Sequence, residues 1–239
     1  MLAALQFLTR IPITLRREPS LERTVMWFPL AGALIGAIVG GTAAALWFVV
    51  SPLLAGVLAV VVGLLVTGAF HEDGLGDIAD AFGGGWTVER RLEILKDSRH
   101  GTYGVAAMCA SIVVRMVALG SLTGPLQMFT AAVAAHTMGR VAAVAMAGTM
   151  RLATHSGLGA DYGRGTTRGR AVAGTCSGVA VTVIAVGWHA APLVAAAFVA
   201  VATVGVLARR KIGGISGDVL GATEQVAECL CLVVLSGLA

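Results

Sequence analysis

Seven stretches of this 239-residue sequence are almost wholly apolar, at about 25–50, 52–70, 102–121, 125–148, 171–188, 190–208 and 218–238. Several approach the roughly twenty residues that a helix needs to cross a hydrocarbon core of about 30 Å. No other feature restricts the fold as strongly. The mean hydropathy of +0.86 lies far above that of soluble domains. The 32 glycines fit membrane helices, which use small residues for close packing. The expectation is an all-α fold, a single integral membrane domain over 1–239 with about seven transmembrane helices. The longest polar connection, 71–100, is too short for a core of its own.

The connections alternate in character. Those near Ser51-Pro52, Ser121 to Pro125 and Gly187 to Pro192 are short and carry no Lys or Arg. Fifteen of the seventeen Lys and Arg fall in segments 10–23, 90–99, 151–170 and 209–211. By the positive-inside rule the N-terminus and the loops near 71–100, 149–170 and 209–217 face the cytoplasm. The same placement accounts for the net charge of +4 without a nucleic-acid partner. Met1 to Pro12 reads as a short interfacial or re-entrant helix and not as a removable signal peptide. Cys109, Cys176, Cys229 and Cys231 lack CxxC spacing and read as small buried hydrophobes. Gly32, Gly36 and Gly40 form a small-residue ladder on the first span. Such faces permit self-association without demanding it.

Carboxylates are costly in such a chain, yet seven of its thirteen lie between Glu72 and Asp97. The run is His71-Glu72-Asp73-Gly74-Leu75-Gly76-Asp77-Ile78-Ala79-Asp80. Asp73, Asp77 and Asp80 share one face if the run is helical. Like charges so close call for a cation between them, and a hard divalent ion prefers carboxylate oxygens. Gly74 and Gly76 weaken helix and let backbone approach a ligand, and Gly83-Gly84-Gly85 reads as a flexible break.

Lys96-Asp97-Ser98-Arg99-His100-Gly101-Thr102-Tyr103-Gly104 follows, setting cations and the hydroxyls of Ser98 and Thr102 beside the acids. Acids for a metal together with bases for phosphate suit phosphoryl transfer. Gly213-Gly214-Ile215-Ser216-Gly217-Asp218 opens the last span, where helix amides can hold a phosphate. Asp218 reads either as a ligand or as a helix cap. Glu224 and Glu228 lie within that span and point to a cavity or a metal. Arg115 and Arg140 are mid-span, and the sequence leaves open whether they form ion pairs or hold an anion. His136 and His189 read as polar span-edge residues. The loop 157–170, with Asp161, Arg164, Arg168 and Arg170, reads as a solvated basic loop.

Together these blocks, with Phe7-Leu8-Thr9-Arg10-Ile11-Pro12 and Phe28-Pro29-Leu30 before them and Val219-Leu220-Gly221-Ala222 after, resemble the cobalamin synthase family, the adenosylcobinamide-GDP ribazoletransferases. The matching blocks span nearly the whole chain. The resemblance implies an inner-membrane enzyme that joins adenosylcobinamide-GDP to α-ribazole, or its 5′-phosphate, and releases GMP with Mg²⁺. It implies Asp73, Asp77 and Asp80 as principal metal-binding and catalytic acids, with His71 and Glu72 beside them. Asp218 and Glu228 would complete the metal site from a distant segment. Lys96, Arg99 and Arg140 become phosphate clamps. Departures from the family pattern are mild, Ser216 where Thr is frequent and His100 where an aliphatic residue is frequent. A CDP-alcohol phosphotransferase is the nearest alternative, but Asp-Gly-x-x-Ala-Arg is absent. A cation-coupled transporter would put its ionisable groups near the midplane, and only Arg115, Arg140 and Glu228 speak for it.

Overall fold

The computed structural model describes residues 1–15, 21–153 and 166–238. These residues are helical throughout apart from their connections, and the one extended contact is an isolated bridge between Leu152 and Ile215. A short helix α1 (Leu2–Leu8) packs on α3 (Phe28–Leu46). α2 (Leu21–Thr24) leads through a 3₁₀ turn into α3 (Phe28–Leu46). Ser51 caps α4 (Pro52–Thr67) by accepting the Leu54 N–H, with Pro52 at the first helical position, where its missing N–H costs nothing. α5 (Phe70–Gly84), α6 (Val88–Ile94) and α7 (Thr102–Gly120) follow. Then come α8 (Pro125–Thr149), α9 (Arg168–Val186), α10 (Ala190–Ile212) and α11 (Gly217–Gly237).

α8 is the axis of the bundle, with α3, α9, α10 and α11 packed around it. Its residues Ala134 through Ala142 are all buried, so it is enclosed on every side. The glycine ladder lies on α3 against α8. A Cβ at Gly32 would fall 2.5 Å from the His136 carbonyl oxygen, at Gly36 2.5 Å from that of Ala132, and at Gly40 2.7 Å from that of Phe129. The rising numbers on one helix meet falling numbers on the other, so the two are antiparallel.

Five helical segments are long and apolar enough to cross a membrane, or six if the bent pair α4–α5 is one span. That is fewer than the seven stretches in the sequence, because Arg168–Ile212 enters as a single 45-residue segment and α4, at 16 residues, counts only when joined to α5. The segment is interrupted at Gly187, whose φ of +61° ends α9. Ala171 of α9 and Gly205 of α10 both lie against the last turns of α8. The chain therefore runs along α8 and back.

The acidic run, expected to start a cytoplasmic loop, is instead the helix α5, and even Gly83 and Gly84 belong to it. Gly68 (φ +67°) and Ala69 (φ +56°) both take left-handed conformations, turning the chain by 89° between α4 and α5. Ala69 is a non-glycine residue held in that region, a local strain at the entrance to the acidic run. α5 then packs between α7 and α11.

Candidate active site

The ionisable residues separate into a buried cluster and an outer group. In the cluster, Arg115 of α7 donates from Nη2 to Glu72 Oε1 at 2.6 Å and from Nη1 to Glu228 Oε1 at 3.0 Å. Arg140 of α8 bonds Glu224, and reaches Glu228 Oε2 at 2.9 Å from the same nitrogen. His136 Nδ1 lies 2.8 Å from Glu228 Oε2. His71 Nδ1 stands 3.4 Å from Arg140 Nη2 and 3.6 Å from Glu224 Oε2. Gln225 donates to Glu224 at 3.0 Å and accepts from Ser111 at 2.8 Å. Removing two arginines and three glutamates from water is tolerable only with this degree of mutual pairing.

These contacts decide several residues left open by the sequence. Arg115 is an ion-pair residue. Arg140, expected to clamp phosphate, is only 2% exposed and directs its guanidinium at glutamates. Glu72, Glu228 and His71, expected near the metal acids, sit in this cluster. His136 is buried mid-helix and not at a span edge. Its spacing of four from Arg140, like that of Glu224 from Glu228, was the available signal, since such residues share a helix face.

The outer group lies at the basic end of the bundle. Asp73 is 65% exposed and Asp77 mostly buried. His100 bridges them, with Nε2 3.2 Å from Asp73 Oδ1 and Nδ1 3.5 Å from Asp77 Oδ1. Gly76 leaves room for the ring, since a Cβ there would fall 3.2 Å from His100 Nδ1. Sequence reasoning assigned His100 no role. Gly74 brings α5 against the first turn of α11, where a Cβ would come 3.1 Å from the Asp218 Cα. Ser216, and not Asp218, caps α11 by accepting the Val219 N–H at 3.3 Å. Asp80 accepts the N–H groups of Gly101 and Gly104 at the start of α7.

The cations near this face divide as well. Arg91 donates to the carbonyls of Gly85, Trp86 and Lys211, and Lys211 Nζ to that of Phe82 at 3.0 Å, tying α5, α6 and α10 together. Lys96, Ser98, Arg99 and Thr102 are exposed. Arg99 donates from Nε and Nη2 to Asp97 at 2.9 and 2.7 Å, and these bonds hold the Asp97 carboxyl down at about 2. The glycine-rich turn before α11 is fastened to 151–153, with Ile215 N–H on Arg151 O and Ala153 N–H on Ile215 O. Of loop 157–170, residues 157–165 lie outside the described residues.

Among the described residues no three His, Cys, Asp or Glu side chains converge as a closed metal cage. Magnesium does not need one, since it is commonly held by one or two carboxylates, water and substrate phosphates. Asp73 and Asp77, with Asp218 close by, are all-oxygen donors of the type such an ion takes.

The described residues form a helical bundle with five or six segments apolar enough to cross a membrane and a buried charge network at its centre, the architecture of an integral membrane protein. The chain matches the family described as Cobalamin-5-phosphate synthase over residues 1–236 and belongs to it. It is thereby a transferase of cobalamin biosynthesis. It is similar to the adenosylcobinamide-GDP ribazoletransferase of Bradyrhizobium diazoefficiens, 38% identical over 97% of this chain and 90% of the relative. The enzyme of the same description from Shewanella sp. strain W3-18-1 is 36% identical over 98% of this chain and 92% of the relative. No solved structure matches the chain.

Proposed function

We propose that this protein joins adenosylcobinamide-GDP to α-ribazole or α-ribazole 5′-phosphate, giving adenosylcobalamin or its 5′-phosphate and GMP. The observation that carries this reading is the grouping on α5 of exposed Asp73 and mostly buried Asp77, both against His100 and next to Asp218, with the exposed Lys96 and Arg99 a few residues before His100 in the chain. The names of the relatives supply the substrates.

In the reaction a ribazole hydroxyl oxygen forms a bond to the phosphorus nearer the cobinamide. The bond from that phosphorus to the bridging oxygen breaks, and GMP departs with that oxygen. The hydroxyl proton passes to a base at the site. Asp73, Asp77 and His100 form one contact group from which a base can come, Asp73 being the most exposed, whereas His71 is turned inward to Arg140 and Glu224. Asp73 and Asp77, with Asp218 beside them, would hold Mg²⁺, and the ion would supply positive charge to offset that of the substrate phosphates. Lys96 and Arg99 draw in the nucleotide phosphates, with Ser98 and Thr102 as neighbouring donors.

The enzyme sits in the cytoplasmic membrane with this site facing the cytoplasm. Arg91, Arg151, Arg168, Arg209 and Lys211, all at helix ends or connections, support that orientation by the positive-inside rule. Reading the break at Gly187 as a turn and α4–α5 as one broken crossing gives seven passages with a cytoplasmic N-terminus. The transporter alternative loses support, because Arg115, Arg140 and Glu228 are spent on one another.

Purified protein incubated with adenosylcobinamide-GDP, α-ribazole and Mg²⁺ should release GMP and form the cobalamin product, and chelation of Mg²⁺ should stop it. Absence of product from the folded protein, or product formation indifferent to chelation, would overturn the reading or its metal component respectively.

A further inference from the structure

α5 is fastened to α7 at two levels, and each fastening uses one acid of the run. At the outer level Asp80 accepts the Gly101 N–H at 2.6 Å and the Gly104 N–H at 2.9 Å, one on each carboxylate oxygen. It caps α7 from another helix, satisfying amides that a helix start leaves unpaired. The fit is close, since a Cβ on Gly101 would fall 2.7 Å from Asp80 Oδ1 and one on Gly104 would collide with Oδ2. At the inner level Glu72, only 3% exposed, is bonded by Arg115 at 2.6 Å. Residues 72 and 80 are separated by about 12 Å of helix axis. Asp73 and Asp77 lie between the two fastenings and turn instead to His100.

We propose that the acidic run divides its work. Glu72 and Asp80 are positioning residues that pin α5 across α7, and of the four acids only Asp73 and Asp77 carry the divalent cation. Drawing Asp80 onto a cation would uncap α7. Drawing Glu72 onto one would set the cation beside the Arg115 guanidinium, where like charges repel. The pins hold Asp73 and Asp77 at a fixed place relative to Asp218, and a functional metal site would require that precision. The division rests on the magnesium reading above.

The test is Mn²⁺ binding, followed by electron paramagnetic resonance, to the full chain in detergent, with thermal melting recorded for each variant. Asp73→Asn and Asp77→Asn should each weaken Mn²⁺ binding by about tenfold or more, the order seen when a metal site loses support. Asp80→Asn retains an acceptor oxygen and Glu72→Gln retains one for Arg115, so both should bind Mn²⁺ as wild type does. Asp80→Ala should melt at a lower temperature, with Asp80→Asn recovering part of the loss. If Asp80→Asn or Glu72→Gln loses Mn²⁺ as severely as Asp77→Asn while still folded, that residue is a ligand and the division is overturned. If Asp73→Asn and Asp77→Asn both bind as wild type, the magnesium reading fails and the division with it.

Discussion

Arg115 Nη2 lies 2.6 Å from Glu72 Oε1, an ion pair sealed inside the bundle between residues 43 positions apart in the chain. The second arm of Arg115 holds Glu228, so one side chain ties α7 to both α5 and α11. Buried pairs add little over an apolar packing, but breaking one strands a charge. Arg115→Met should therefore destabilise the protein by about 3–5 kcal/mol, read by unfolding in detergent. Pairing it with Glu72→Gln should recover much of that loss, because the stranded carboxylate is removed.

The α3–α8 contact makes a second, independent prediction. Gly36→Ala drives a methyl to within 2.5 Å of the Ala132 carbonyl oxygen, whereas Gly41 has nothing within 4 Å. Overpacking of this kind costs about 1–3 kcal/mol. Gly36→Ala should lower the melting temperature in detergent, whereas Gly41→Ala, which meets nothing and improves helix propensity, should leave it unchanged or raise it.

Arg99 provides a prediction on binding. It is exposed, and Asp97 is its partner. Arg99→Ala should raise KM for adenosylcobinamide-GDP by about tenfold with a smaller change in kcat, the signature of lost uniform binding. Because bonding to Arg99 holds the Asp97 carboxyl at about 2, the pair is intact above the ordinary carboxylate range and is lost only as pH falls toward 2. It should therefore add no pH dependence to KM between about pH 6 and 8.

Topology can be read by labelling. In a background lacking the native cysteines, Trp86→Cys should react with a membrane-impermeant maleimide from the cytoplasmic side, and Trp188→Cys from the opposite side. Both positions are exposed, beside α5 and in the Gly187 turn respectively. The reverse pattern would invert the orientation.

Much of this organisation is legible in the sequence where it depends on local periodicity. Spacings of four and three announce that Asp73, Asp77 and Asp80 share a helix face, and Gly32, Gly36 and Gly40 announce a packing stripe that the structure sets against α8. The helical state of the whole run is less legible, because Gly74, Gly76, Gly83 and Gly84 each weaken helix by about 1 kcal/mol. Packing of α5 between α7 and α11 overrides that penalty. Which acid meets which base is not local information at all. Arg115 meets Glu228 and Arg140 meets Glu224 across 113 and 84 residues, so only the tertiary fold separates Glu72 and Glu228 from Asp73 and Asp77. His100 was invisible for the same reason, since it meets Asp73 only when α5 and α7 are side by side.

The most direct measurement of the central claim is GMP release by Asp77→Asn, purified in detergent and melting as wild type does. The account predicts a fall of about a thousandfold, the order expected when a group acting on developing transition-state charge is removed. Turnover near the wild-type rate would contradict it.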